Sequence, residues 1–459
     1  MDRVRKTFGR RASNASEYEP LHDPDEATAL DGSSVLEGQD EAPFSWMEYS
    51  IFAVLGMAML WAWNMFLAAA PYFSSRFNGD EWIQANFQST IITVSTITNL
   101  GAMILLTNIQ YSASYPWRIN TALVTNIVVF VLLTVSTVFF TDAAPRLYLG
   151  FLLCMVAASA VAAGLIQNGA FAFAASFGRS EYMQALMTGQ GVAGVLPAVA
   201  QVLTVLIFPP EVADEDAGDK GESPSSSHTS AFLYFLTAVC VSVVALVAFI
   251  PLVRRHNHIV ENRMIEHMAE SMTSVEEAER AARKVTSLWK LFKKLRWLCL
   301  GVSLTFVETM FFPVFTARIT SVNTDWGLLF RPAAFIPLAF FFWNIGDFAG
   351  RIATMLPFSL GKRPPMLFLL VVLRAAWLPL YLLCNLDGRG AAVSSDFFYL
   401  FIVQLFFGLS NGWLGSSCMI ASTDWVDEGE REAAGGFMGL CLVVGLAVGS
   451  LLSFSVAQV

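Results

Sequence analysis

Four ionisable side chains stand inside long apolar segments of this sequence. They are Glu308, Asp347, Arg351 and Arg374. A charged group at the centre of a membrane costs about 2.5–3.5 kcal/mol on insertion scales, so it marks a functional site by default. Asp347 and Arg351 are four residues apart, which places them on one helix face and predicts an ion pair.

The Asp347–Arg351 pair admits two interpretations. Gly346 and Gly350 would let a neighbouring helix approach closely, so the pair could serve only to lock two helices together. Asn344, one turn earlier, favours the wall of a polar cavity instead. A buried ion pair is weak evidence for stability, and the residues alone leave both interpretations open.

The neighbouring residues say less about the roles of Glu308 and Arg374. Glu308 precedes Pro313, and a proline within a membrane helix frees a backbone carbonyl and permits a bend. Arg374 is nearer a hydrophobic centre, where pairing with a loop or a carbonyl is as plausible as a role in binding.

Amide side chains interrupt other apolar segments. Gln167–Gly169 and Ser410–Gly412 each contain an Asn-Gly step, which fits an internal repeat. Gln190 lies between two glycines, and Trp63 precedes Asn64. Amides donate and accept hydrogen bonds without a net charge, and an indole stacks on flat rings. The chemistry therefore favours a polar, uncharged, partly aromatic solute.

Metal chemistry inside the membrane has few donors available. The five histidines lie in the tail or in connections, and the six cysteines are far apart without paired spacing. We therefore expect no zinc site, no disulfide and no cofactor.

The composition indicates a polytopic membrane protein. The chain of 459 residues is 55% hydrophobic and 14% charged, against about 25% charged in ordinary soluble domains. Windows free of Asp, Glu, Lys and Arg cover 49–75, 83–117, 119–141, 147–178, 182–210, 223–253, 397–423 and 433–459, and three further apolar segments lie near 296–316, 332–356 and 365–384. A membrane helix needs about 20 apolar residues. The sequence predicts an all-α bundle of eleven transmembrane helices.

The connections predict the orientation and the division of the chain. With a cytosolic N-terminus, fifteen Lys and Arg lie in inside connections and six in outside ones, as the positive-inside rule expects. The C-terminus is then lumenal or extracellular. We expect a disordered cytosolic tail over 1–46, a first bundle of helices 1–6 over 47–253, a central cytosolic loop over 254–295, and a second bundle of helices 7–11 over 296–459.

Two short segments outside the helices carry signals of their own. Apolar residues with helical spacing among Lys290, Lys293 and Arg296 predict an amphipathic helix on the membrane surface; the alternative is a solvated linker whose last turn starts the seventh helix. Tyr18–Leu21 fits the tyrosine-based form that sorting adaptors bind, although four-residue patterns are common by chance.

Five separated motifs resemble the equilibrative nucleoside transporter family and occur in its order. They are Trp63-Asn64 with Pro71–Phe73, Gln167, Gly189–Gly194, Phe342–Arg351, and Ser410–Trp413 with Glu430–Gly435. The sequence departs from the family pattern at Ala62, where proline is usual, and at Trp413, where tyrosine is usual.

The resemblance implies two helical bundles of the major-facilitator type that alternate access around a nucleoside. It implies a base pocket with Trp63, Asn64 and Gln167, ribose contacts from Asp347 and Arg351, a lining from Phe340, Asn344 and the seventh-helix Phe312, and gating or structural roles for Arg118, Gln190, Asn411, Trp413 and Arg374. Separately from the resemblance, the acidic tail with its Tyr18 motif and a possible proton link favour a vacuolar or lysosomal membrane over the plasma membrane.

No phosphate-loop motif occurs, so the solute gradient should drive transport of nucleosides such as adenosine and uridine. Coupling to a proton on Asp347 or Glu308 remains open, as does uptake of nucleobases or of another neutral polar solute. An intramembrane aspartyl protease would need a second aspartate motif, which is missing, so we expect no enzyme and no catalytic residue. Lipid is an expected partner, and nucleic acid is not.

Overall fold

The computed structural model describes residues 44–109, 114–140, 143–207, 224–268, 286–357 and 359–457. Within these ranges eleven helices are long and apolar enough to cross a membrane. Spans 1 to 11 are Trp46–Ala68, Glu81–Asn108, Tyr115–Phe139, Pro145–Ser176, Ser180–Ile207, His228–Arg255, Leu288–Thr316, Pro332–Ala353, Pro364–Tyr381, Phe398–Trp425 and Glu428–Ser453. The predicted eleven-helix architecture is confirmed.

Several predicted features lie outside the described residues. These are the Tyr18–Leu21 motif, residues 1–43 of the tail, and residues 269–285 of the central loop. The predicted boundaries of the four regions stay predictions.

Some spans contain breaks or extensions. Span 6 belongs to a longer helix, Pro224–Met268; span 7 divides into Leu288–Thr309 and Phe311–Thr316; span 9 divides into Pro364–Arg374 and Trp377–Tyr381; span 10 begins as a π-helix over Phe398–Leu405 and continues as an α-helix over Phe406–Ala421. Outside the spans, the chain forms a short helix at Ala70–Arg76 and 3₁₀ turns at Thr324–Trp326 and Leu328–Phe330. The break in span 7 falls just before Pro313, which lacks the N–H that would bond to Thr309.

The predicted surface helix before span 7 is corrected by the structure. Its basic residues belong to the helix that begins at Leu288 and runs without interruption to Thr309. Leu291 and Leu295 are fully buried in the protein core. Their burial makes this segment the first turns of span 7 rather than a separate helix on the membrane surface.

The spans alternate in direction and define two ends of the bundle. We call the end that holds Trp46 the near end and the end that holds Asp80 the far end. Asp80 begins span 2 at the far end, where its carboxylate accepts a hydrogen bond from the backbone N–H of Ile83 at 3.2 Å. This bond, together with the Arg146 guanidinium 3.2 Å away, lowers the pKa of Asp80 below its ordinary value.

The two halves of the chain repeat one packing pattern. In spans 1–6, Gly56 and Gly189 press span 1 against span 5, because a β-carbon at either position would overlap the opposite backbone. In spans 7–11, Gly445 and Gly449 of span 11 press that span against span 7, because a β-carbon at either position would overlap the backbone of span 7. Span 7 follows span 1 by six spans, and span 11 follows span 5 by six spans. This correspondence supports the internal repeat expected from the Asn-Gly steps.

The apolar core shows how the halves meet. At the near end one cluster includes residues of both halves, such as Phe52, Phe171 and Met438. Toward the far end the first half has a separate cluster around Phe130, and the second half has its own around Phe335. The two halves are therefore packed together at the near end, and each has its own core at the far end.

Candidate functional site

A cavity of about 160 Å³ lies between the two halves. The first half contributes Met59, Leu60, Ala62, Trp63, Phe66, Ile92, Ser95, Thr96, Asn99, Asn126, Val156, Ser159, Ala160, Ala163 and Gln167, and the second contributes Met310, Val443, Leu446, Ala447 and Ser450. The wall of the first half is thus rich in amides and hydroxyls, whereas the opposite wall is mainly aliphatic. Such a cavity suits a solute with one hydrogen-bonding side and one apolar side.

The polar wall includes two predicted binding residues, Trp63 and Gln167. Gln167 is 4% exposed, and its carbonyl oxygen Oε1 has no hydrogen-bond partner within the described residues. The same is true of Oδ1 of Asn99. By contrast, Oδ1 of Asn126 accepts a hydrogen bond from the Ser159 hydroxyl at 3.1 Å. A buried unpaired acceptor is rare and calls for an explanation such as a ligand or an ordered water.

The predicted pair of Asp347 and Arg351 is formed. Nε of Arg351 donates to Oδ2 of Asp347 at 2.8 Å, and both side chains are almost completely buried. Asn411 donates from Nδ2 to the other carboxylate oxygen at 2.7 Å. These residues do not line the cavity, so ribose binding by the pair stays a prediction.

Arg374 pairs with Glu308 rather than with a loop. Its Nη1 lies 2.9 Å from Oε2 of Glu308 and 3.0 Å from the carbonyl oxygen of Thr305, and its Nε donates to the Ser410 hydroxyl at 3.0 Å. The guanidinium also lies 4.1 Å from the ring centroid of Phe407. Nε and Nη1 of this arginine are therefore both bonded to partners deep in the second half.

The two ion pairs belong to one network. The Thr309 hydroxyl donates to Oδ1 of Asn411 at 2.5 Å, and Asn411 in turn donates to Asp347. Thr309 also lies 3.5 Å from Nη2 of Arg374. The network holds two carboxylates and two guanidinium groups, so its formal net charge is zero.

Arg351 connects this network to the first half through hydrogen bonds. Its Nη1 donates to the Met187 carbonyl at 2.9 Å and to Oε1 of Gln190 at 3.2 Å. Gln184 donates weakly to the backbone carbonyl of Arg351 at 3.4 Å. Spans 5 and 8 are thereby joined on the near side of the cavity, which closes that side in this conformation.

Other predicted lining residues have partners elsewhere. Asn64 donates to the carbonyl of Ala193 at 2.7 Å, and Asn344 donates to the carbonyl of Phe340 at 2.9 Å. Phe312 lies in an aromatic cluster of the second half, stacked on Trp343 with ring centroids 4.1 Å apart and 5.0 Å from Phe340. The structure does not bring these side chains into the cavity lining.

Arg118 and Trp413 both pack between helices at the near end. Arg118 is buried and donates to the carbonyls of Leu106 and Ile109 at 3.1 and 2.7 Å, where it caps the last turn of span 2, and to the side chain of Asn168. Trp413 packs against the shared core. Within the described ranges, no group of three or more His, Cys, Asp or Glu is placed to hold a metal ion.

Sequence reasoning did not identify Asn99, Asn126 and Ser159 as cavity residues. A single amide or hydroxyl within an apolar segment is compatible with many roles, and none of the three belongs to a motif. For Asn99 the available signal was the uncharged window 83–117, which contains many amides and hydroxyls for a membrane helix; Asn126 and Ser159 lie in other windows and had no such signal.

The chain is similar to known transporters in sequence. A family profile described as nucleoside transporter matches residues 153–458. Nucleoside transporter FUN26 of Saccharomyces cerevisiae is 30% identical over 447 residues, which cover 89% of this chain and 83% of that protein. Equilibrative nucleoside transporter 1 of Homo sapiens is 26% identical over 473 residues, which cover 91% of this chain and 97% of the relative.

Solved structures identify the fold. The major facilitator superfamily proton:xylose symporter XylE, bound to 6-bromo-6-deoxy-D-glucose, matches with a TM-score of 0.60 at 10% identity, over 89% of this chain and 87% of the other. The E. coli fucose:proton symporter FucP matches at 0.52 and 15% identity, over 89% and 96%. With a major-facilitator fold and a family profile that matches most of its length, the chain belongs to the nucleoside transporter family.

Proposed function

We propose that this chain carries nucleosides across a membrane by alternating access, driven by the gradient of the solute itself. The observation that carries the proposal is the cavity between the two halves, with an amide-rich wall on one side and an aliphatic wall on the other. Trp63 offers a flat face to a base, and the amide of Gln167 offers hydrogen bonds. Membership of the nucleoside transporter family supports a nucleoside as the solute.

Alternating access requires contacts that can form and break between the halves. The bonds from Arg351 to Met187 and Gln190 are such contacts, because they join spans 5 and 8 across the divide. In the proposal they hold the near side closed while the solute enters from the far side. Breaking them leaves Arg351 still paired with Asp347, so the step does not isolate a buried charge.

Charge balance favours transport without a proton. Glu308 and Asp347 each face a guanidinium partner at 2.9 and 2.8 Å. A proton added to either carboxylate would leave the buried network with a net positive charge, which the membrane interior disfavours. We therefore propose a facilitative carrier, and proton coupling becomes an outcome of the test.

Uptake of radiolabelled adenosine and uridine into proteoliposomes, with and without an inward proton gradient, tests the proposal. We expect uptake in both conditions, strong reduction in Gln167→Leu, and little change in Gln201→Leu, which makes the same substitution at an exposed position of span 5. Uptake only with the gradient would establish proton coupling instead. Absence of uptake from folded wild-type protein would refute nucleoside transport.

Competition separates nucleosides from nucleobases. Unlabelled adenosine should reduce the uptake of label more strongly than unlabelled adenine, because adenine lacks the ribose hydroxyls. Equal competition would mean that the carrier recognises the base alone.

We further propose that the near end is cytosolic and that the chain resides in the membrane of an acidic organelle. The excess of Lys and Arg in the connections of the near end supports the orientation, and the Tyr18–Leu21 motif supports the compartment. A fluorescent fusion that lacks residues 1–42 should relocate. An unchanged location would remove the motif as a sorting signal.

A further inference from the structure

The exposed side of span 7 carries cations and indole rings where the span begins at the near end. Trp289, Lys293 and Arg296 are exposed, and Trp297 is half-buried beside them. Nζ of Lys293 lies 5.5 Å from the ring centroid of Trp289, and Cζ of Arg296 lies 5.3 Å from that of Trp297. Lysine and arginine beside tryptophan are typical of the layer that holds the lipid headgroups.

Among the described residues, Lys293 and Arg296 differ from the neighbouring Lys294 because they have no carboxylate partner. Nζ of Lys294 lies 3.1 Å from Oδ2 of Asp427 and also bonds to Glu430. Neither Lys293 nor Arg296 forms an ion pair with any residue that the structure describes. Two cations on this side of the helix are therefore available to an anion from outside the chain.

Span 9 adds a third cation at the same depth. Trp297 packs against Phe368 of span 9 with ring centroids 5.4 Å apart, and both spans begin at the near end. Lys293 shares the face of Trp297 and precedes it by four residues, or about 6 Å along the helix. Arg363 precedes Phe368 by five residues, or about 7.5 Å. Arg363 is exposed and likewise forms no ion pair with a described residue.

Exposed aliphatic side chains follow these cations on both spans. Leu300 is 42% exposed one turn after Arg296, and Leu369 is 55% exposed after Arg363. A change from exposed cations to exposed aliphatic residues marks the boundary between the headgroups and the hydrocarbon of a membrane. Lys293, Arg296 and Arg363, which we call the basic patch, therefore lie at the depth of lipid phosphates.

We propose that the basic patch binds one anionic glycerophospholipid of the near-end leaflet, with its phosphate between spans 7 and 9. Packed helices lie about 8–10 Å apart, a gap that long lysine and arginine side chains can close around one phosphate. A lipid fits better than a soluble anion, because its acyl chains would run along Leu300 and Leu369. Anionic lipids are typical of the cytoplasmic leaflet, which agrees with the orientation proposed above. The inference concerns a site outside the cavity and does not depend on the transported solute.

Native mass spectrometry of the purified transporter tests the proposal by measuring retained lipid. Separate samples are incubated with phosphatidylglycerol or with phosphatidylcholine of the same acyl chains. We expect the wild type to retain phosphatidylglycerol preferentially. Arg296→Gln should reduce this preference about 5-fold, the effect of one cation at an anionic membrane surface, and adding Arg363→Gln should reduce it again by a similar factor.

The matched control is Arg254→Gln. Arg254 is exposed at the near end of span 6 and forms no ion pair with a described residue. Its substitution removes the same charge from the same leaflet at another place, so the preference should not change. If Arg296→Gln does not elute as a folded protein, Arg363→Gln on the other span provides the measurement.

Four results would overturn the inference. The first is equal retention of the two lipids by the wild type, and the second is an unchanged preference in folded variants of the patch. The third is an equal loss in Arg254→Gln, since the lipid would then respond only to the general charge of the near end. The fourth concerns the source of the phosphate. Phosphatidylglycerol should raise the thermal midpoint of the wild type more than inorganic phosphate does, and an equal rise with both would assign the patch to a soluble anion.

Discussion

Neutralising Glu308 should destabilise the second half by removing the only carboxylate bonded to Arg374 among the described residues. In Glu308→Gln the side chain keeps its shape, but the guanidinium loses its charged partner at 2.9 Å. The side chain of Arg374 is 1% exposed, so water cannot replace the carboxylate. Thr305 and Ser410 still accept hydrogen bonds, but neither compensates the charge.

The expected loss is about 3–5 kcal/mol, the cost of breaking a buried pair from one side. For a chain of this size the thermal midpoint should fall by on the order of 5 °C. Fluorescence-detected size-exclusion chromatography after heating measures this midpoint in detergent. Arg146→Met serves as a control, because that arginine is 88% exposed in its pair with Asp80 and should change stability by no more than about 1 kcal/mol.

A double variant distinguishes charge from shape. Glu308→Leu combined with Arg374→Met removes both charges and replaces them with apolar side chains, which is often neutral or stabilising for a buried pair. We expect the double variant to recover most of the thermal midpoint that Glu308→Gln loses. The reasoning is refuted if Glu308→Gln is as stable as wild type, or if the double variant is no better than the single one.

Two further predictions concern packing and pH. Gly412→Ala should prevent folding, because a β-carbon there would overlap the Asp347 carbonyl, whereas Gly415→Ala should elute normally, since its β-carbon would lie 3.5 Å from the Phe306 ring in ordinary contact. The hydrogen bond from Arg318 lowers the pKa of Asp387, so this pair stabilises the protein above the ordinary carboxyl pKa of about 3.9 and loses its effect as the pH falls through the lowered value. The difference in thermal midpoint between wild type and Asp387→Asn should therefore be the same at pH 7 and pH 5, begin to shrink below about pH 3.9 and vanish only below the lowered pKa of Asp387; a difference already lost at pH 5 would contradict it.

The number of spans and one ion pair were predictable from the sequence because both depend on local spacing. Apolar length fixes a membrane helix, and four residues separate Asp347 from Arg351, so a single helix determines their contact. The close approach at Gly346 and Gly350 was predictable for the same reason, and a β-carbon at either would overlap span 10.

Contacts between distant segments were beyond sequence reasoning. Arg374 and Glu308 are 66 residues apart, and no spacing rule connects them. The start of span 7 was misplaced because the lysines at its beginning suggest a helix on the membrane surface. The burial of Leu291 shows instead that this segment belongs to the span. Asn99 was missed because an unpaired oxygen can be recognised only when its neighbours are known.

The balanced charge of the buried network has an electrical consequence. Moving one elementary charge through the membrane potential is worth about 2.3 kcal/mol per 100 mV, so a moving half with a net charge would respond to voltage. Glu308, Asp347, Arg351 and Arg374 cancel one another, and all four belong to spans 7–9. When the two halves rock around a neutral solute, these groups shift together and displace no net charge, which makes this part of the cycle electrically silent.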